Sequence, residues 1–289
     1  METSELLKRV RQIEIKTRGL SRNIFAGEYH SAFKGRGMTF SEVREYQYGD
    51  DIRNIDWNVT ARYNEPFVKL FEEERELTVM LMIDVSGSRE FGTMSKLKKN
   101  QITEISAVLA FSAIQNNDKI GVIFFSDKIE KFIPPKKGKS HILRIIRELI
   151  DFKPEHRNTD ITSALKYLTN AIKKRCTTFV ISDFIDEGYE NALTIANKKH
   201  DVVALKIYDK REEEIPSIGL IKVKDAETGA YSWIDTSNKK VRENYSKWWK
   251  KNNDRATEIF KRSGVDVANI RTDQDYVRSL ISLFQRRGH

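Results

Sequence analysis

Cysteine is almost absent from this chain. Cys176 stands alone among 289 residues, which excludes an internal disulfide and any cysteine-based metal cluster. No apolar run approaches the length of a membrane span. The opening Met-Glu-Thr-Ser-Glu also lacks the basic and apolar regions of a signal peptide. A cytoplasmic protein without a membrane span is therefore expected. Only five prolines occur, and no low-complexity stretch, long linker or internal repeat interrupts the chain. Gly-rich phosphate loops and Gly-x-Ser-x-Gly are missing as well, which removes the usual signs of nucleotide binding and serine hydrolysis.

What remains is ordinary globular material, 39% hydrophobic and 32% charged, long enough for one large domain or a main domain with a smaller appendage. The net charge is +9, and residues 240–289 hold twelve Lys/Arg against six Asp/Glu. Such a bias can mark an anionic partner. Here it falls on the outer faces of amphipathic helices with no nucleic-acid motif, so a solvated basic face is the expectation.

The chain is organised around residues 77–88, Leu-Thr-Val-Met-Leu-Met-Ile-Asp-Val-Ser-Gly-Ser. Seven apolar or β-forming residues read as a strand buried on both faces, ending at Asp84. Before it, residues 3–18 have helical spacing through Leu6, Leu7, Val10 and Ile13, with Thr3 or Ser4 as N-cap. Residues 20–76 lose that period, and glycines separate short strands and turns. Within them, Asp50, Arg53 and Asp56 are expected to form a hydrogen-bonded corner with Trp57 packed inward.

After the central strand, helices over 97–115, 142–152, the segment beginning near Thr162, and 189–199 alternate with apolar strands over 119–126, 177–183 and 201–208. A short strand over 128–133 is closed by Pro134-Pro135. This alternation predicts βαβ units and a mostly parallel sheet. Residues 210–237 break it with a hairpin, which is expected to pair with the 20–76 region in a second sheet. A helix over 241–262 follows, with Tyr245, Trp248, Trp249, Ala256, Ile259 and Phe260 on its buried stripe. A strand over 265–270 and a helix over 275–286 complete the chain. The expected domains are 1–76, a helix with a β-rich accessory region, and 77–289, the α/β domain with its inserted hairpin.

Asp84, Ser86 and Ser88 follow the first buried strand. Thr159 sits in a loop opening a helix, and Asp183 ends a later strand. In a parallel sheet these positions share the carboxyl edge, where α/β folds bind ligands. Two carboxylates and three hydroxyls suit a small hard cation such as Mg²⁺, with Mn²⁺ or Ca²⁺ as substitutes. The plainer alternative is that Asp84 and Ser86 cap the next helix.

Asp84-Val85-Ser86-Gly87-Ser88, with Thr159 and Asp183 in that order, resembles the metal-ion-dependent adhesion site of von Willebrand factor A-like domains. Asp160 departs from that pattern by adding a charge beside Thr159. Further motifs resemble the bacterial domain-of-unknown-function family number fifty-eight: Gly35-Arg36-Gly37-x-x-Phe40; Arg44-x-Tyr46-x-x-Gly49-Asp50-Asp51-Ile52-Arg53-x-Ile55-Asp56-Trp57; Ala61-Arg62; and Glu73-Glu74-Arg75. The first resemblance implies a Rossmann-like α/β fold and a bound cation whose open position takes a partner's Asp or Glu. The second implies work beside a MoxR-type AAA+ ATPase in protein assembly or maturation, without a catalytic role. A Mg-dependent phosphohydrolase with Asp84 as nucleophile is the rival. It lacks the second acid two residues on, where Ser86 stands, and no lysine is assigned to neutralise a phosphoryl group. Nucleic-acid binding through the basic C-terminal helix is a third reading.

Overall fold

The computed structural model describes residues 38–73, 77–91 and 97–288. The helix expected over 3–18 and the Gly35-Arg36-Gly37 segment lie outside the described residues. Strand β3 (Thr78–Asp84) is the spine of a six-stranded sheet, and Val79 to Ile83 are fully buried. Its side chains alternate in the manner that a strand with two covered faces requires. Val79, Leu81 and Ile83 join one hydrophobic cluster, whereas Met80 and Met82 join the other.

The remaining strands of this sheet are β4 (Lys119–Phe125), β5 (Ile129–Lys136), β6 (Thr177–Ser182), β7 (Asp201–Tyr208) and β10 (Asp266–Arg271), in the order β10-β7-β6-β3-β4-β5. All neighbours are parallel except β5, which runs antiparallel on the edge. From β3 the chain first builds outward through β4 and β5, then returns to lay β6 on the other side. The crevice between the carboxyl ends of β3 and β6 is therefore the topological switch point, the place where such sheets bind ligands.

Helices cover both faces. Helix α2 (Lys98–Gln115), α3 (Lys139–Asp151) and α8 (Tyr276–Gly288) contribute to the first cluster. The second takes side chains from α4 (Ile161–Ala171), α5 (Glu190–Lys199) and α7 (Lys239–Ser263). Removing one of the fully buried leucines, such as Leu81, to alanine would cost roughly 2–5 kcal/mol. Among the described residues no helix is long and apolar enough to cross a membrane.

Several local expectations give way. Strand β5 continues through Pro134-Pro135 instead of stopping there, because an edge position does not need their missing N–H groups. The accompanying bulge sits opposite Gly121, where a Cβ would meet Ile133 O and Pro135 N at 2.8 Å. Trp57 opens helix α1 (Trp57–Tyr63) and is 70% exposed instead of packing inward. The corner beside it is paired differently too. Asp50 holds Arg44 through two 2.8 Å bonds, Asp51 holds Arg53, and Asp56 caps α1. The Arg44 guanidinium and the Gln47 amide hold the Asp50 carboxyl below its ordinary range.

The expected joint sheet does not form among the described residues. Strands β1 (Met38–Glu45) and β2 (Phe67–Glu73) pair with each other, and β8 (Leu220–Lys224) pairs only with β9 (Tyr231–Asp235). Each hairpin satisfies its own ladder. On α7, Trp249, Ala256, Ile259 and Phe260 are buried as expected, but Trp248 is 46% exposed. One residue of offset turns it about 100° around the helix from Trp249.

His200, the C-cap of α5, is fully buried with Nδ1 3.3 Å from Cys176 Sγ. Burial, aided by Lys199 and Arg175, pushes its imidazole down to about 4. Below pH 6.5 the unfolded chain takes up a proton that the folded chain refuses, so stability falls until about pH 4 and then levels. The expected loss from this group is about 3 kcal/mol at the acid end. Urea unfolding at pH 7 and pH 4.5 should show a smaller acid loss in His200→Leu than in the wild type; equal losses would exclude this source.

Candidate metal centre

Strand β3 delivers Asp84 to the switch point, and its direction there is fixed by two hydrogen bonds. Oδ1 accepts from the Ser86 amide at 2.9 Å, and Oδ2 accepts from the Ser182 hydroxyl at 2.6 Å. The carboxylate is 3% exposed, yet none of its hydrogen-bond donors is cationic. Burial first, and then the charge of Asp183, raise its pKa to about 6. The two carboxylates therefore share one low-dielectric site with a charge still to be compensated.

The short 3-10 turn Gly87–Glu90 brings Ser88 back toward Ser86, and their hydroxyl oxygens lie 3.2 Å apart. Ser88 lines one small pocket with Asp84, Ser182 and Asp183, and it helps to lower the Asp183 pKa. Asp84, Ser86, Ser88 and Asp183 are thus brought together. Asp183 follows the last residue of β6 and is anchored at Oδ1 by the Ile185 amide, 3.2 Å away. The chain turns sharply beyond it. Phe184 adopts a left-handed φ of 56°, an unfavourable conformation for a bulky side chain, while remaining buried against Phe260.

The loop of Thr159 is tethered at the switch point through its backbone, and no contact joins the Thr159 side chain to the other four residues among the described ones. The Gly87 amide donates to Arg157 O at 2.9 Å, and the Asp160 amide donates to Ser126 O at 3.0 Å, beyond the end of β4. Thr159 is half-buried between these two tethers. The Asp160 carboxylate is occupied elsewhere, accepting from the Ser163 amide at 2.8 Å and hydroxyl at 2.6 Å as the N-cap of α4. Its charge is accounted for by the helix start.

Two participants, Ser182 and Lys98, escaped the sequence reading, and a third has a contact beyond its place in the motif. Ser182 has an obvious place beside Asp183, but its hydroxyl points back to Asp84. Lys98, at the first turn of α2, is 2% exposed and contacts both Asp183 Oδ2, at 3.2 Å, and Glu212 of the short helix α6 (Lys210–Glu213). Burial opposes its charge, but Asp183 and Glu212 raise its pKa above the ordinary lysine value. The same ammonium, with Ser88 and Ile185, holds Asp183 below the usual carboxylate range against the effect of its own burial. Its place was legible, because Lys98 shares a helical face with Ile102 and Ile105. The third participant is Gly87 itself. A Cβ there would meet Ala226 O at 1.9 Å, so the hairpin tip rests directly on the loop between the two serines.

The chemistry of this donor set fits a hard divalent ion. Two carboxylates and two hydroxyls converge, Lys98 pairs with Asp183, and among the described residues the buried Asp84 carboxylate has no cationic hydrogen-bond partner. It is an oxygen site of few charges. No cluster of three or more His, Cys, Asp or Glu side chains able to hold a metal occurs among the described residues.

Lys98→Met should leave Asp183 and Glu212 as uncompensated buried charges and cost roughly 3–5 kcal/mol, read as a lower urea midpoint at neutral pH; an unchanged midpoint would refute the ion-pair assignment. Gly87→Ala should displace the hairpin tip. Limited proteolysis between residues 225 and 230 should then be faster than in the wild type, and equal rates would show that the contact is loose.

A family model described as "Protein of unknown function DUF58" matches residues 42–255. An uncharacterised protein of Mycobacterium tuberculosis is 25% identical over 295 residues, covering 100% of this chain and 92% of the relative. Among solved structures, the conserved hypothetical protein BatB from Bacteroides thetaiotaomicron is 18% identical with a TM-score of 0.47. That alignment covers 73% of this chain and 98% of BatB. The SpRpn10 VWA domain is 9% identical with a TM-score of 0.42, covering 72% of this chain and 94% of that domain. With its model spanning the accessory strands, the switch-point loops and most of α7, the chain belongs to the DUF58 family.

Proposed function

We propose that the chain is a protein-interaction module whose docking point is the switch-point site. A divalent cation, Mg²⁺ or a substitute such as Mn²⁺ or Ca²⁺, would be held by Asp84, Ser86, Ser88, Thr159 and Asp183. Bound there, the ion supplies an electrophilic centre whose remaining position takes an Asp or Glu carboxylate from a partner. The observation that carries this reading is the buried Asp84 carboxylate, whose hydrogen-bond donors among the described residues are neutral, the Ser86 amide and the Ser182 hydroxyl. Ser182 and the Ser86 amide orient it, Ser88 lies in the same pocket as Asp183, and Lys98 keeps Asp183 ionised. The partner class follows the family resemblance, a MoxR-type AAA+ ATPase acting in protein assembly or maturation.

The phosphohydrolase alternative gains a lysine but loses its nucleophile. Lys98 is committed to Asp183 and Glu212, and both Asp84 oxygens already accept hydrogen bonds in a buried position. An attacking carboxylate needs an oxygen open to the substrate.

Mn²⁺ titration followed by electron paramagnetic resonance tests the site. The wild type should bind the ion, and Asp84→Ala and Ser88→Ala should each weaken binding at least tenfold. Asp84→Ala should also lose capture of the MoxR-type ATPase encoded in the same genome. If metal binding and capture both survive in that variant, the reading is wrong.

A further inference from the structure

Beside the switch point lies a cleft of about 560 Å³, within the range of ligand sites in general. Its walls come from the turn after Ser86, the segment 152–157 and the tip of the inserted hairpin, which the fold forces together, with Lys99 added from the start of α2. The Gly87 amide bonded to Arg157 O joins the first two, and Ala226 resting on Gly87 adds the third.

The lining is sharply divided in character. Lys153, Arg157 and Lys224 are exposed cations around the opening, Lys99 of α2 is a fourth, half-buried one, and among the described residues no carboxylate lines the cleft. Arg157 Nη1 reaches across to the hairpin turn, close to Gly229. Phe91 and Phe152 form an apolar wall. Phe152 is held firmly, with its ring stacked on Phe124 at 4.7 Å and its carbonyl accepting from Arg89 Nη2 at 2.9 Å. Ser86, one of the two converging hydroxyl residues, closes the inner end.

We propose that this cleft is the specificity site for an acidic polypeptide segment carrying an apolar residue among its carboxylates. This rests on the reading above that a partner carboxylate docks at the switch point, and it adds what surrounds that carboxylate. One acidic side chain is directed past Ser86 toward the inner end. Its neighbours along the segment face Lys153, Arg157 and Lys224, and the apolar residue packs on Phe91 and Phe152. Opposite charge within a partly desolvated cleft raises the encounter rate and sets register, while the apolar contact supplies affinity. The arrangement suits a peptide better than a nucleic acid. Among the described residues the cleft offers neither a Gly-rich phosphate cradle nor an extended basic track, and its Phe91 and Phe152 wall suits an apolar side chain.

A fluorescein-labelled peptide of alternating Glu and Leu residues serves as probe, read by fluorescence anisotropy with Mg²⁺ present. The wild type should bind it in a salt-sensitive manner and ignore the matching Lys-Leu peptide. Lys153→Glu/Arg157→Glu should weaken binding at least tenfold while Mn²⁺ binding stays unchanged. Phe91→Ala should weaken it without altering the salt dependence, a readout that loss of charge would not give. Unaltered peptide binding by the charge-reversed variant, or tighter binding of an oligonucleotide at the same cleft, would overturn the proposal and leave the metal reading intact. Conversely, a wild type that binds peptide through Lys153 and Arg157 but takes up no Mn²⁺ would sink the metal reading and keep the cleft.

Discussion

Two carboxylates cannot be buried at one sheet edge unless their charges are met. The carboxyl ends of β3 and β6 impose that requirement, and the surrounding structure answers it in parts. Asp183 is met by Lys98, which is itself shared with Glu212, so a helix before the sheet crossing and a short helix after β7 are both tied to one atom pair. Asp84 is met only by neutral donors. The asymmetry explains why their pKa values diverge although the two groups are neighbours: one is ion-paired with the Lys98 ammonium, and the other accepts only from neutral donors among the described residues.

The location of this edge follows from topology. Strand β3 is the first laid down in the sheet and is hydrogen-bonded on both sides, with β4 toward one edge and β6 toward the other. Loops leaving β3 and β6 must diverge to opposite faces, and the space between them is what Asp84, Ser182 and Asp183 share. The hairpin is inserted after β7, far along the sequence, yet its tip returns to Gly87. A residue without a side chain is needed there because another backbone already occupies the space.

Much of the α/β part was legible. Uninterrupted apolar runs at 77–84, 119–126, 177–183 and 201–208 have no other stable home than a sheet covered on both faces. Asp84, Ser86, Ser88 and Asp183 were legible as a group because each ends or follows such a run. What escaped depends on which residue faces which. The accessory strands and the hairpin have similar short, Gly-bounded patterns, and nothing local says whether two such ladders pair together or each with itself. Trp57 was assigned to the interior of a turn corner and Trp248 to the stripe of its helix, whereas the helix starts and phases that place them outside depend on caps and on a single residue of offset. Lys98 was overlooked because a charged residue on an apolar stripe is read as the stripe's end. Here its partners lie on distant segments, at Asp183 and Glu212.

The two outer strands of the large sheet are not equivalent. On β5 the consecutive prolines Pro134 and Pro135 contribute no N–H groups, and a bulge bends the backbone around Gly121. A foreign strand approaching that margin finds an interrupted row of donors, so the sheet is poorly suited to lengthen there. Proline and bulge together therefore disfavour templated strand addition on the β5 side.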